Sequence, residues 1–161
     1  MVDREDFKEA MSRFASGVTV VTCFDGEQTR GITVSAFLSV SLEPPLVLVS
    51  ISKDAQLAPL LASSEGYGVS LLSAEQHTVS DHFAGWGPEG FEPALEALAG
   101  EQVLADALAG LSCQIRERVD AGDHQLLIGE VRAITLGASL EPLLYAQRGY
   151  RRLAPAAEEK R

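Results

Sequence analysis

Four hydroxyl side chains, Thr33, Ser35, Ser39 and Ser41, stand at alternate positions of "GITVSAFLSVSL", and Ile32, Val34, Ala36, Leu38, Val40 and Leu42 fill the positions between them. In an extended segment this period of two sends the sets to opposite faces. A hydroxyl row is the ordinary dress of a strand face in water. The small residues Gly31, Ser35, Ala36 and Ser39 also let a flat ligand approach the backbone and use its N–H and C=O groups. Phe37 is the one large residue interrupting the row, and a bend is expected there.

His124 is the second residue with chemistry to offer. It follows Asp123 in "AGDHQ", at a strand start beside a tight turn, where an imidazole either projects into a groove or simply faces solvent. The spacing of His77 and His82 keeps them off one helix face, and no third ligand is near in sequence, which argues against a metal site. Gly85, Gly87 and Gly90 in "GWGPEG" spell GxGxxG, but a helix is expected before them and prolines punctuate the run; a dinucleotide fingerprint needs a strand turning into a helix. No GxSxG elbow accompanies the many serines. Cys23 and Cys113 lie far apart in strand-like runs, with no CxxC, and read as two buried free thiols.

The elements that must position these groups can be read from pattern. Asp3 caps a helix running to Ser16, with Phe7, Met11 and Phe14 near one face, and Gly17 stops it. "VTVVTCF" is a strand that breaks at Asp25 and Gly26 into a hairpin. Pro44 and Pro45 cannot donate to a ladder, so "LVLVSI" starts afresh. Asp54 is placed to cap a helix to about Ser63, despite Pro59, and Ser73 to cap "AEQHTVSDHFA", with strand "YGVSLL" between. A Gly/Pro loop over residues 85–93 leads to an Ala/Leu-rich stretch to about Ala109, read as a short helix and a connection. "LSCQIRERV" and "LLIGEVRAITL" make a long antiparallel hairpin, and "EPLLYAQRGYRRL" a last short segment.

The 161 residues fit one domain, and 46% apolar with 22% charged residues is ordinary for a globular chain without a membrane span. A net charge of −10 opposes docking on nucleic acid. The opening "MVDREDFKEA" has no basic-then-apolar signal, so the cytoplasm is the expected compartment. Short turns between about six strands, with helices at the start and middle, argue for a mainly β, antiparallel barrel with peripheral helices.

Taken in order, "FKEAMSRFASGVTVVT", "GITVSAFLSVSLEPPLVLVSISK", "YGVSLLS", "SDHFAG", "GDHQLLIGEV" and "PLLYAQRGYRRL" span nearly the whole chain. In these blocks the chain resembles the flavin reductase-like, FMN-binding split-barrel proteins, particularly the reductase components of two-component flavin monooxygenases. The small and charged residues of "APAAEEKR" read as a flexible tail at 154–161, leaving residues 1–153 for the domain; the resemblance implies a six-stranded Greek-key split barrel there and a homodimer with flavin near its interface. It implies that Thr33, Val34, Ser35 and Ala36 bond the flavin ring edge, and that Ser39, Ser50, Ile51, Ser52 and Lys53 serve the ribityl and phosphate end. Phe83, Ala84 and Gly85 would line the flavin tail, Tyr145, Arg148 and Tyr150 would close the site, and His124 would meet the nicotinamide. FMN, or FAD, is the implied cofactor and NADH or NADPH the co-substrate, with reduced flavin passing to a separate monooxygenase. A flavin-binding storage or electron-carrier protein on the same barrel, or a carrier of a small apolar ligand, remains an alternative.

Overall fold

The computed structural model describes residues 1–139 and 141–154. The expected tail at 154–161 therefore lies, but for its first residue, outside the described residues. Helix α1 (Arg4–Ser12) starts where the Asp3 side chain accepts the amides of Glu5 and Asp6, satisfying N–H groups that a helix start leaves free. It stops four residues short of Ser16 because β1 (Ser16–Gly17) is drawn into a ladder near the C-terminus. Phe7, Met11 and Phe14 stay exposed.

β2 (Thr19–Phe24) and β3 (Thr29–Val34) form the expected hairpin, closed by the Asp25 carboxylate accepting the amides of Glu27 and Gln28 at 2.9 and 2.8 Å. β4 (Phe37–Leu42) and β5 (Pro45–Ser52) flank Glu43 and Pro44. Next come α2 (Ala58–Ser63), β6 (Gly66–Leu71), α3 (His77–Phe83), β7 (Leu95–Leu98), β8 (Glu101–Leu104), the long hairpin of β9 (Ala109–Ala121) and β10 (His124–Leu136), and the short hairpin of β11 (Leu144–Ala146) and β12 (Gly149–Arg151).

Seven strands make one antiparallel sheet in the order β3, β2, β6, β9, β10, β5, β4, one strand more than expected. Its outermost strands, β3 and β4, are consecutive in the chain and joined only by Ser35 and Ala36. The sheet must therefore curl until its edges meet, which makes it a split barrel whose seam is that bend. Val21, Val49, Tyr67, Val69 and Leu127 fill the interior with Leu57 and Leu61 from the α2 region, each fully buried aliphatic worth about 1.5–3 kcal/mol. A second cluster of Val18, Val20, Leu72, Leu104, Ala107 and Leu143 receives Val79 and Phe83 of α3 and Tyr150 of β12.

Three local expectations are corrected. Residues 95–104 are the β7/β8 hairpin, not a helix: Ala99 and Gly100 take left-handed turn positions (φ 45° and 93°). The Leu104 amide also donates to Ser70 Oγ at 2.8 Å, so tertiary pairing overrides the helix propensity of Ala and Leu. Neither Asp54 nor Ser73 is a cap: α2 begins after Leu57, with Pro59 in its first turn, and α3 after Gln76, whose side chain accepts the Ser73 amide at 3.0 Å. The bend falls at Ser35 and Ala36, before Phe37, and shifts the phase of β4. Phe37 therefore packs on the main core while Leu38, Val40 and Leu42 face outward, as a register slip requires.

Candidate functional site

The seam is where the backbone has something to give. Among the described residues, no hydrogen bond takes up the amides of Ser35 and Ala36, and both residues are exposed. The Ala36 carbonyl is engaged, accepting the Ser50 amide at 3.0 Å, so the bend is moored to β5. An N–H without a protein partner at a cleft is a donor kept for water or ligand.

Beside the seam lies a cavity of 390 Å³ lined by Thr33, Ser35, Asp81, Tyr145, Arg148 and Tyr150, among others. Tyr145 and Tyr150 face each other across the β11/β12 hairpin, edge to face at 5.8 Å. The Tyr150 hydroxyl lies 2.6 Å from Asp81 Oδ1 and 2.8 Å from Ser80 Oγ. Because a carboxylate only accepts, Tyr150 donates to Asp81 and the Ser80 hydroxyl is left to donate to Tyr150. Burial, and then the bond to Asp81, hold the Tyr150 phenol above its ordinary pKa. The Thr33 hydroxyl donates to the Ser80 carbonyl at 2.6 Å, so one turn of α3 ties β3 to β12 across the cavity floor.

A larger cavity of 580 Å³ shares Thr33 and Ala84 with the first and adds Phe83, Gly85 and Gly31. Here Phe83 lies so close to Gly31 that a Cβ on Gly31 would sit 2.6 Å from its ring. Phe83 thus packs as a core side chain and walls the cavity at once.

A separate group gathers where β5 ends. The outward Ser52 stands directly opposite His124, and Ser50 opposite Leu126, so all four share the sheet's outer face. The His124 Nδ1 is 2.7 Å from Asp123 Oδ1, a bond that holds the Asp123 carboxyl below its usual range. Nδ1 therefore carries the proton and Nε2 is the free nitrogen. The Lys53 amide donates to the Asp123 carbonyl at 3.0 Å, and its ammonium is 3.5 Å from Asp120. Lys53 also lines a cavity of 270 Å³ with Ile51, Pro59 and Gln125.

Of the residues expected at the site, Thr33, Ser35, Ala84, Tyr145, Arg148 and Tyr150 come together, Ser50, Ser52 and His124 share the outer face of the neighbouring strands, and Lys53 lies at the same strand end beside Ile51 and Gln125. Ser39 joins neither. It pairs with Val47, because β4 runs antiparallel to β5, so each step beyond the bend moves away from Lys53. Val34 and Ile51 turn their side chains into the core, and the Val34 carbonyl accepts the Thr19 hydroxyl at 2.7 Å. Sequence reading passed over Ser80 and Asp81, although both stand in "SDHFAG" directly before His82 and Phe83, where a polar pair on a short helix was the available signal.

Residues 11–154 match the model of the flavin reductase like domain family. The chain is 49% identical over 150 residues to the reductase component of 4-hydroxyphenylacetate 3-monooxygenase from Thermus thermophilus, covering 93% of this chain and 97% of that protein. The solved structure of flavin reductase PheA2 in its native state superposes with a TM-score of 0.92 at 42% identity, over 96% of this chain and 100% of the other. The NADH:FAD oxidoreductase SgcE6 of Streptomyces globisporus, solved in complex with NAD and FAD fragments, superposes with a TM-score of 0.88 at 35% identity, over 98% and 99%.

Proposed function

The chain belongs to the flavin reductase like family, and on that premise we propose how its residues divide the work of an NAD(P)H:flavin oxidoreductase. The protein reduces FMN or FAD with a nicotinamide nucleotide and supplies the reduced flavin to a monooxygenase. The observation that carries the site is the seam: two unengaged amides at Ser35 and Ala36, beside small side chains and an open cavity. A flat heterocycle with acceptors on its edge fits that donor set, and it needs the close approach that Ser35 and Ala36 allow.

In this reading Thr33, Ser35 and Ala36 hold the flavin ring edge, and Tyr145, Arg148 and Tyr150 close over it. Ala84 and Gly85 line the tail, with Phe83 as the wall. Ser50, Ser52 and Lys53 receive the ribityl and phosphate end, and Lys53 exchanges Asp120 for a phosphate. When bound, the flavin and the nicotinamide would supply the hydride transfer, and these residues would hold and orient the two rings for it. His124, fixed through Nδ1 by Asp123, presents Nε2 as an acceptor for the carboxamide N–H of the nicotinamide and so orients that ring. No protein nucleophile enters. NADH is the proposed donor, by likeness to the NADH:FAD oxidoreductase SgcE6.

A homodimer belongs to the same proposal. Ser50, Ser52 and His124 open on an outer face that also carries Leu38, Leu48, Leu126 and Ile128, and a second copy would cover that apolar surface and complete the groove. So do a single domain over residues 1–153 and a cytoplasmic location; among the described residues no helix is long and apolar enough to cross a membrane.

The test is a turnover panel. Visible absorbance with added FMN reads binding, and oxidation of NADH and of NADPH is then followed with FMN, FAD or riboflavin in excess. Steady oxidation that requires only catalytic amounts of protein is expected. Flavin binding without turnover would instead make the protein a flavin carrier.

A further inference from the structure

We propose that Trp86 and Arg148 form a docking subsite for the adenine nucleotide half of a dinucleotide, an inference that rests on the reductase reading above. Trp86 is the chain's single tryptophan, 83% exposed, and it lines the mouth of the 390 Å³ cavity with Asp81, Tyr145 and Arg148. Exposure alone decides nothing, since lone apolar side chains are common on surfaces. What singles out this one is that its backbone is pinned on both sides. The Trp86 amide donates to the Asp81 carbonyl at 2.8 Å. Gly85 before it turns the chain at φ +86°, and Gly87 after it lies so close to α3 that a Cβ there would sit 2.4 Å from His82 Cα. The backbone at Trp86 is thus held at the cavity rim, and the exposed indole has no aromatic neighbour stacked on it among the described residues.

Arg148 stands at the same mouth in an uncommon conformation. Gln147 and Arg148 both take left-handed backbone angles, φ 51° and 58°, at the tip of the β11/β12 hairpin, where a two-residue turn favours Asn-Gly. Two non-glycine residues there are strained, and such strain gathers at functional positions. The Arg148 guanidinium meets Glu9 at 3.7 Å, both side chains more than half exposed, a weak pair that a phosphate can displace. Asp81, its carboxylate already accepting from Tyr150, lines the same cavity and steers phosphate toward Arg148.

A π-face, a guanidinium and an excluded anion side match a purine joined to phosphate. With the flavin ring at Thr33 and Ser35, the indole is left for a second ring, and stacking tolerates any base. The adenine comes from NADH or from FAD; the chemistry is shared and the experiment separates them.

The single tryptophan makes fluorescence a direct reporter. Titrating the full chain with AMP is expected to quench Trp86 saturably, and Arg148→Gln to weaken that binding severalfold. With riboflavin as acceptor, Trp86→Ala should raise KM for NADH roughly tenfold, within the range of base–aromatic stacking, while KM for reduced nicotinamide mononucleotide stays within twofold. If instead the KM for FAD rises over that for FMN, with reduced nicotinamide mononucleotide as donor, the adenine is the flavin's. Trp86→Phe, which keeps a stacking face, should hold KM near the wild-type value in either arm. Absence of AMP quenching, or an equal rise for mononucleotides and dinucleotides, would overturn the subsite. AMP binding needs no turnover, so a chain that quenches with AMP yet reduces no flavin would overturn the reductase reading and leave the subsite standing.

Discussion

His124 shows how one side chain acquires a role from its neighbour. Asp123 occupies Nδ1 at 2.7 Å, so the ring's orientation and the freedom of Nε2 are set before any ligand arrives. His124→Ala should lower kcat roughly threefold to tenfold, the loss of one neutral hydrogen bond, and leave flavin affinity near that of the wild type. Stopped-flow reduction beside flavin titration checks this, and an equal loss in both would assign His124 to flavin binding. Tyr67 is the opposite case. Its hydroxyl is buried without a partner among the described residues, pointing at Gly129, where a Cβ would sit 2.4 Å away, and burial pushes the phenol up. An orphaned buried hydroxyl costs about 1–3 kcal/mol, so Tyr67→Phe should hold or raise Tm, by about 2–4 °C for each kcal/mol recovered in a domain of this size. A lower Tm in calorimetry would show that the hydroxyl has a partner.

At the scale of elements, the β2/β3 hairpin carries a pH dependence of known sign. The amides of Gln28 and Glu27, and then Arg30, hold Asp25 down from its usual 3.8 to about 2. The folded value lies below the unfolded one, so this stabilisation is complete above about pH 4 and is lost as pH falls toward 2. Tm of the wild type should therefore fall more steeply than that of Asp25→Asn across that window; parallel curves would sink the assignment. This hairpin was legible in the sequence because Asp25 and Gly26 are turn residues by chemistry, and the long β9/β10 hairpin because its alternation is sustained. The β7/β8 hairpin was not, since Ala and Leu favour a helix until Val103 and Leu104 find a sheet to pack on. Nor was the outward turn of Leu38, Val40 and Leu42, because the phase of an alternation is undefined until the bend at Ser35 and Ala36 is placed. The same holds for the proposed site: the blocks name candidates, but that Ser39 lies opposite Val47, away from Lys53, follows from strand direction, and the pairing of His124 with Ser52 depends on β10 meeting β5 in one register.

For the whole molecule, the outer face around Leu38 makes assembly testable. Sedimentation should give twice 17.2 kDa for the wild type, whereas Leu38→Lys, a charge on the apolar layer, should sediment as a monomer with diminished turnover. A Leu38→Lys dimer of full activity would place the interface elsewhere. The barrel also settles where the chain's sulfur lies relative to its chemistry. Reduced flavin gives peroxide with oxygen, and thiolates are what peroxide attacks. Cys23 and Cys113 are free but inside the barrel, with burial pushing Cys113 up to about 12 and Cys23 above its ordinary value. The exposed sulfur is in Met1 and Met11, at the N-terminus and on α1, outside the sheet. A protein that makes an autoxidisable product thus keeps its thiols protonated and walled off, and oxidative wear falls on thioethers that neither the seam nor the core depends on.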